Sequence, residues 1–190
     1  MGATGAGKST FVNYLVQDEA LKSPVGHGLT SCTSELRPIP LCFPNDNLLR
    51  LYRITLVDTP GFDDTYVGDA AILQRIADWF ANAYREKKVL AGVIYLHDIT
   101  SKKLTGSALK NLAMFQAMCG EAAFRKVILG TTNWKRTSTE SPVSGEGCEK
   151  ERREKELKDV HWKPMLAKEA RTKRFDDSYD SAVSFVKDIL

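Results

Sequence analysis

The chain has 190 residues, of which 43% are hydrophobic and 27% charged, with a formal net charge of +3. A chain of this length buries about 70% of its unfolded surface, enough for one well-formed core, and its interspersed Lys, Arg, Asp and Glu exclude a basic footprint for nucleic acid or an anionic membrane surface. No apolar run approaches the ~20 residues that cross a bilayer. The four cysteines, Cys32, Cys42, Cys119 and Cys148, form no C-x-x-C pair and follow no secretory signal, so reduced thiols in a cytoplasmic protein are expected.

In chain order, the first element is a loop. Met1-Gly2-Ala3-Thr4-Gly5-Ala6-Gly7-Lys8-Ser9 contains the spacing G-x-x-x-x-G-K-[ST]. Its glycines let backbone N–H groups turn inward onto phosphate oxygens, where a Cβ would obstruct them. Lys8 would reach the β- and γ-phosphates and the Ser9 hydroxyl would ligate Mg²⁺. Thr4, Gly5, Ala6, Gly7, Lys8, Ser9 and Thr10 are therefore candidate nucleotide-binding residues. Ser9 to Val16 reads as the helix whose N-terminus such a loop presents to an anion. Only one residue precedes Gly2, whereas a phosphate loop ordinarily follows a buried strand, so the expectation is either a sequence truncated before that strand or a fold that lacks it.

After a Gly-, Ser- and Thr-rich loop from Ser23 to Ser34, the β-type stretches Glu35–Phe43 and Leu48–Val57 flank Pro44-Asn45-Asp46-Asn47, which predicts a hairpin. Ala70 to Tyr84 carries apolar residues at helical spacing, with Ala71, Ile72, Ile76, Trp79 and Phe80 facing inward. Val89 to Leu96 is a continuous apolar run, expected as a strand buried on both faces. Gly106 to Cys119 predicts a helix with Leu109, Leu112, Phe115 and Met118 on one side, and Val127 to Leu129 another buried strand. Glu149 to Asp159 reads as a solvated, mixed-charge helix. Asp180 to Leu190 closes the chain as an amphipathic helix with Ala182, Val183, Val186 and Ile189 inward. Alternating strands and helices without repeats or linkers predict one α/β domain over residues 1–190.

A second motif, Asp58-Thr59-Pro60-Gly61, stands at the end of the apolar strand Leu56-Val57. A carboxylate at a strand tip can hold Mg²⁺ through water, and the Gly61 N–H can meet a γ-phosphate and so sense it. Asp58 is thus a candidate metal-site residue and Gly61 a candidate catalytic one.

Five blocks now carry a family resemblance: Gly2 to Asn13, Gly26-His27-Gly28-Leu29-Thr30-Ser31-Cys32-Thr33, Asp58-Thr59-Pro60-Gly61-Phe62-Asp63-Asp64, Tyr95-Leu96-His97-Asp98-Ile99 and Gly130-Thr131-Thr132-Asn133-Trp134. In order and spacing they resemble the translation-factor-related (TRAFAC) G domains, in the septin-like branch that includes the GIMAP GTPases, and look closest to small fungal G-domain proteins. The resemblance implies a three-layer P-loop fold, a nucleotide-dependent switch, Mg²⁺, and GTP or GDP as ligand. It also implies that a threonine of the Thr30 to Thr33 segment ligates the metal. Thr33 is favoured because it directly precedes the following strand, which makes it a candidate metal and catalytic residue beside Lys8.

Two departures qualify what the resemblance implies. Many G domains place a glutamine after D-x-x-G to orient the attacking water; here Phe62 stands there, so slow turnover is expected, or a group supplied by Asp63, Asp64, His27 or a partner. The family reads guanine with the Asp of [N/T]-K-x-D, and here Trp134 takes its place, leaving Thr132, Asn133 and Trp134 as the candidate base-binding residues. Trp134 could stack on the purine, and preference for GTP over ATP would be modest. His97 is expected to be structural. The missing first strand would lie mid-sheet, so Leu56-Val57 and Val93-Ile94 are expected to close up and pair in parallel, or a segment of a second copy to fill the slot and make a homodimer. The reading is a slow, Mg²⁺-dependent GTPase with a homodimeric or regulatory partner. The alternatives are an inert nucleotide-bound interaction module and an ATP-using or base-nonselective NTPase.

Overall fold

Apolar side chains alternate along the central strands, and that alternation decides which face each helix covers. The computed structural model describes residues 1–22, 36–62, 68–135 and 146–190. Strands β3 (Val93–Asp98), β4 (Val127–Thr132) and β5 (Arg171–Arg174) form a parallel sheet in the order β3-β4-β5, with Tyr95 opposite Leu129 and Leu129 opposite Thr172. Leu96 and Ile128 join the core under Phe11, Val12 and Leu15 of α1 (Lys8–Leu15) and Ala182, Phe185 and Val186 of α6 (Tyr179–Ile189). Tyr95, Val127 and Leu129 join the opposite core, with Leu112 and Phe115 of α3 (Gly106–Cys119) and with Trp162 and Met165 around α5 (Lys163–Leu166). Period-2 side-chain alternation on a parallel sheet thus gives the expected α/β layering, with helices on both faces.

The helix ends follow local chemistry. Thr105 caps α3 by accepting from Ala108 N, and Gly120, at φ 70°, ends it. Ser178 caps α6 through Ser181 N. Helix α2 (Asp69–Arg85) buries Ile72 and Ile76 against Phe62, while Ala71, expected inward, is exposed.

The predicted hairpin is present. Strands β1 (Arg37–Leu41) and β2 (Ile54–Asp58) pair antiparallel, with Arg37 opposite Asp58 and Leu41 opposite Ile54. Pro38 and Pro40 lie in β1, which pairs on one side with β2; an edge strand tolerates residues that donate no ladder hydrogen bond. Asp46 Oδ1 organises the connection by accepting from Leu48 N and Leu49 N, each at 3.0 Å.

Other expectations are corrected. Among the described residues β2 pairs only with β1, and β3 only with β4, so Leu56-Val57 and Val93-Ile94 do not close up. The first residues lie between β3 and Phe62 instead. Met1 donates through its amino group to Ile94 O and accepts from Leu96 N at 2.8 Å, while Gly2 O accepts from Phe62 N and Thr4 N donates to Phe62 O at 2.9 Å. The strand expected at Val89 begins at Val93, and Val89 is 85% exposed, because apolar character alone does not mark where pairing starts. Leu109 is exposed rather than inward. Strand β5 carries no apolar strand signature, because its sequence, Arg-Thr-Lys-Arg, bears the charges that protect a sheet edge.

Candidate phosphate-binding site and its base-side loop

The phosphate loop spans the end of the Met1–Ala3 segment and the start of α1. Gly5 and Gly7 hold φ of 80° and 79°, a left-handed conformation that side chains with a Cβ resist. Gly7 is also the residue preceding α1, so the loop delivers its backbone amides to a helix N-terminus, which favours an anion. Lys8 Nζ lies back across the loop and donates to Ala3 O at 2.8 Å and Gly2 O at 3.2 Å. Thr4 and Gly5 are exposed, Ala6 is buried, and Ser9 and Thr10 open the helix half-buried.

Residues 58–62 press directly on this loop. Gly61 is buried with no room for a side chain: a Cβ would collide with Thr4 Oγ1 and lie 2.8 Å from Thr4 Cα. Thr4 also donates through Oγ1 to Phe62 O at 3.2 Å. Phe62 itself is buried against Ile72 and Ile76 and so fastens the segment to α2. Ser9 Oγ donates to Asp58 Oδ2 at 3.3 Å, and Asp58 is buried at the tip of β2. Thr59 Oγ1, buried beside it, has no hydrogen-bond partner. A hydroxyl and a carboxylate oxygen side by side are hard donors of the type Mg²⁺ takes, so the residues fit that ion. Thr33 and Thr30, together with His27, Asp63 and Asp64, lie outside the described residues.

The end of β4 is tied to the same loop. Thr132 Oγ1 donates to Ala6 O at 3.1 Å and is 3.3 Å from His97 O, so Asn133 and Trp134 emerge beside the phosphate loop at the carboxyl edge of the parallel sheet. Open α/β sheets bind ligands there. Asn133 is half-buried and has φ 61°. The Trp134 indole turns back along the strand: Nε1 donates to Thr131 Oγ1 at 3.0 Å, the ring packs on the α3/α5 core, and the Arg174 guanidinium carbon lies 4.0 Å from its centroid. Stacking a purine on that ring therefore competes with Arg174 for one face.

Sequence reasoning missed the groups that hold this loop. In α4 (Glu146–Glu156), expected as a solvated surface, Lys150 is 7% and Glu154 6% exposed. Lys150 Nζ donates to Trp134 O at 2.8 Å, and Glu154 accepts from Arg174 Nε and Nη2 at 3.0 and 2.6 Å. Burial pushes the Glu154 carboxyl up, but the Arg174 and Lys158 hydrogen bonds outweigh it and hold the group below its ordinary value. No signal in a run as charged as Glu-Lys-Glu-Arg-Arg-Glu-Lys-Glu marks two residues for burial. His97, whose imidazole burial holds below its ordinary pKa, packs edge-on against Trp162 at 6.4 Å between centroids.

Among the described residues no group of three or more His, Cys, Asp or Glu could cage a metal, and no helix is long and apolar enough to cross a membrane. The family model described as 50S ribosome-binding GTPase matches residues 1–131. In solved structures the chain is similar to Toc33 from Arabidopsis thaliana in complex with Mg²⁺ and GMPPNP, at 16% identity and TM-score 0.68, covering 94% of this chain and 69% of that one. A dimerization-deficient Toc33 mutant matches at 14% identity and TM-score 0.68, covering 92% and 67%. A structure reported under the statement that dimerization is important for the GTPase activity of the chloroplast translocon components atToc33 and psToc159 matches at 14% and 0.71, covering 100% and 79%. At these identities the likeness is one of fold. No curated protein matches the chain in a sequence comparison. A family model that takes in the phosphate loop, the Asp58–Gly61 motif and the strands up to Thr131 leaves one conclusion: the chain belongs to the family described as 50S ribosome-binding GTPase.

Proposed function

We propose that residues 1–190 act as one G domain that binds GTP with Mg²⁺, hydrolyses it slowly to GDP and phosphate, and changes state with the nucleotide. The observation that carries this reading is the direct contact between the phosphate loop and residues 58–62, through Ser9 and Asp58 and through Thr4 and Phe62. A phosphate seated in the loop would act on the same atoms that position Gly61, and Phe62 would pass the change to α2, in whose core it is buried.

In this reading the backbone of Gly5 to Ser9 holds the phosphates, and Lys8 offsets the charge that develops between the β- and γ-phosphates. The Gly61 N–H reports the γ-phosphate. Ser9 and Thr33 would hold Mg²⁺, with Asp58 reaching it through water; the ion, when bound, offsets phosphate charge. Thr132 and Asn133 bring the base-side loop to the nucleotide, and Trp134 shapes that loop. The cytoplasmic location and the placement in the septin-like, GIMAP-like branch belong to the same proposal, the latter resting on the order and spacing of the five blocks from Gly2 to Trp134.

One observation favours a second reading. Phe62 is buried, so the position that often orients water offers no polar group. The chain would then be a nucleotide-occupied interaction module, unless a second copy or another protein supplies the group. The neighbours for whose GTPase activity dimerization is described as important make a homodimer the first partner to test. Phosphate release from GTP, followed as protein concentration rises, separates the two. Specific activity that climbs with concentration supports catalysis through pairing, and a flat trace at background sinks hydrolysis and leaves the inert module.

A further inference from the structure

Lys150 and Glu154 lie four residues apart, on one face of α4, and both are buried. Desolvating a cation and a carboxylate is costly, and apolar residues of similar size would seat the helix without that penalty. What charged groups add is direction. Lys150 Nζ is aimed at two successive carbonyls of the base-side loop, Asn133 O at 3.4 Å and Trp134 O at 2.8 Å. Glu154 grips Arg174 through Nε at 3.0 and 3.1 Å and through Nη2 at 2.6 Å, and Thr131 Oγ1 lies 3.5 Å from the same carboxylate. Arg174 covers the Trp134 ring, whose Nε1 is bonded back to Thr131. Carbonyl, indole edge and indole face are thus fixed from one helix, one strand end and one another.

The geometry points to Lys150 and Glu154 as positioning residues for base recognition, holding Trp134 as an anchor so that Asn133, at φ 61°, presents its amide and backbone to the purine. The inference rests on the nucleotide site proposed above and deepens it. In a site without the guanine-reading carboxylate, base affinity comes from how firmly this loop is held. Trp134 supplies the firmness rather than the contact, because Arg174 and the core already occupy its ring.

The test uses two probes on the whole chain: a fluorescent GTP analogue, and inorganic tripolyphosphate with Mg²⁺ as a competitor that has no base. Lys150→Met and Glu154→Gln are each expected to weaken the GTP analogue about tenfold, the order of magnitude of one hydrogen bond to a charged group, while tripolyphosphate competes as it does with the wild type. Lys150→Arg, which keeps the cation, should stay within about threefold of wild-type GTP affinity. Unchanged GTP affinity in both variants overturns the inference, and so does a parallel loss of both probes, because that marks a residue that merely supports the fold. A wild-type chain that binds no GTP analogue overturns the proposed function, and this inference with it. Variants that behave as wild type while the wild type binds overturn the inference alone.

Discussion

The two ends of the candidate site are held in different ways. At the phosphate end, the contacts run through backbone: Phe62 N donates to Gly2 O and Phe62 O accepts from Thr4 N, Gly61 lies against Thr4, and Gly5 and Gly7 take left-handed conformations. At the base end the contacts run through long side chains, Lys150, Glu154, Arg174 and Trp134, drawn from a helix, a strand and a loop far apart in the chain. A backbone cradle demands particular residues at fixed spacing, since only glycine fits where a Cβ collides. A side-chain clamp demands only that opposite charges meet. The first is rigid in sequence; the second can be rebuilt from many sequences.

Four predictions bear on that contrast. The largest effect belongs to the phosphate end. Lys8→Ala should weaken triphosphate binding by about a thousandfold or more, since a charge-assisted contact to phosphate is lost where the loop positions no other cation of its own. Wild-type affinity in a titration with fluorescent nucleotide would remove the phosphate loop from the site.

The second asks how far the fold leans on its ligand. Nucleotide and Mg²⁺ at ~1,000 times the dissociation constant should add about 4 kcal/mol to folding, or about 8–16 °C in melting temperature for a chain of this size. A melting curve that does not move when both are stripped would deny that the phosphate loop and residues 58–62 are coupled through the ligand.

The third sharpens the base end. If Trp134 stands where the acidic reader would, competition binding should give GTP a preference over ATP of at most about a hundredfold. A preference above ~10⁴ would mean that another residue takes over the carboxylate's work, and that the Thr131–Trp134 loop reads the base in another way.

The smallest effect is electrostatic. Glu154 titrates below its unfolded value in the folded chain, so its contribution to stability is present above the unfolded pKa and fades as pH falls through the folded one. Chemical denaturation between about pH 5 and pH 3 should show a loss of stability that Glu154→Gln shares only in part. His97 has the opposite charge type but the same direction: burial favours its neutral form, so its contribution is complete above about pH 6.5 and declines on acidification below that. Equal pH profiles for the wild type and Glu154→Gln would show that the clamp at the base end carries no folding energy.

Much of this architecture could be read from residue order alone. The loop Gly2–Ser9, the Asp58–Gly61 segment, the hairpin around Asp46 and the helix Gly106–Cys119 all follow from local rules, because each needs particular residues at short fixed separations. What could not be read needed contacts between distant segments. Arg-Thr-Lys-Arg becomes a strand only because β4 offers it an edge, and Val89 stays outside β3 because pairing begins at Val93, opposite Val127. Two of the charges in α4 are buried only because Asn133, Trp134 and Arg174 come to meet them. The sequence determined where phosphate chemistry can occur, since that chemistry is written in backbone conformation. Tertiary structure decided how the base-side loop is held, since the worth of a buried charge depends on the partner that folding brings beside it.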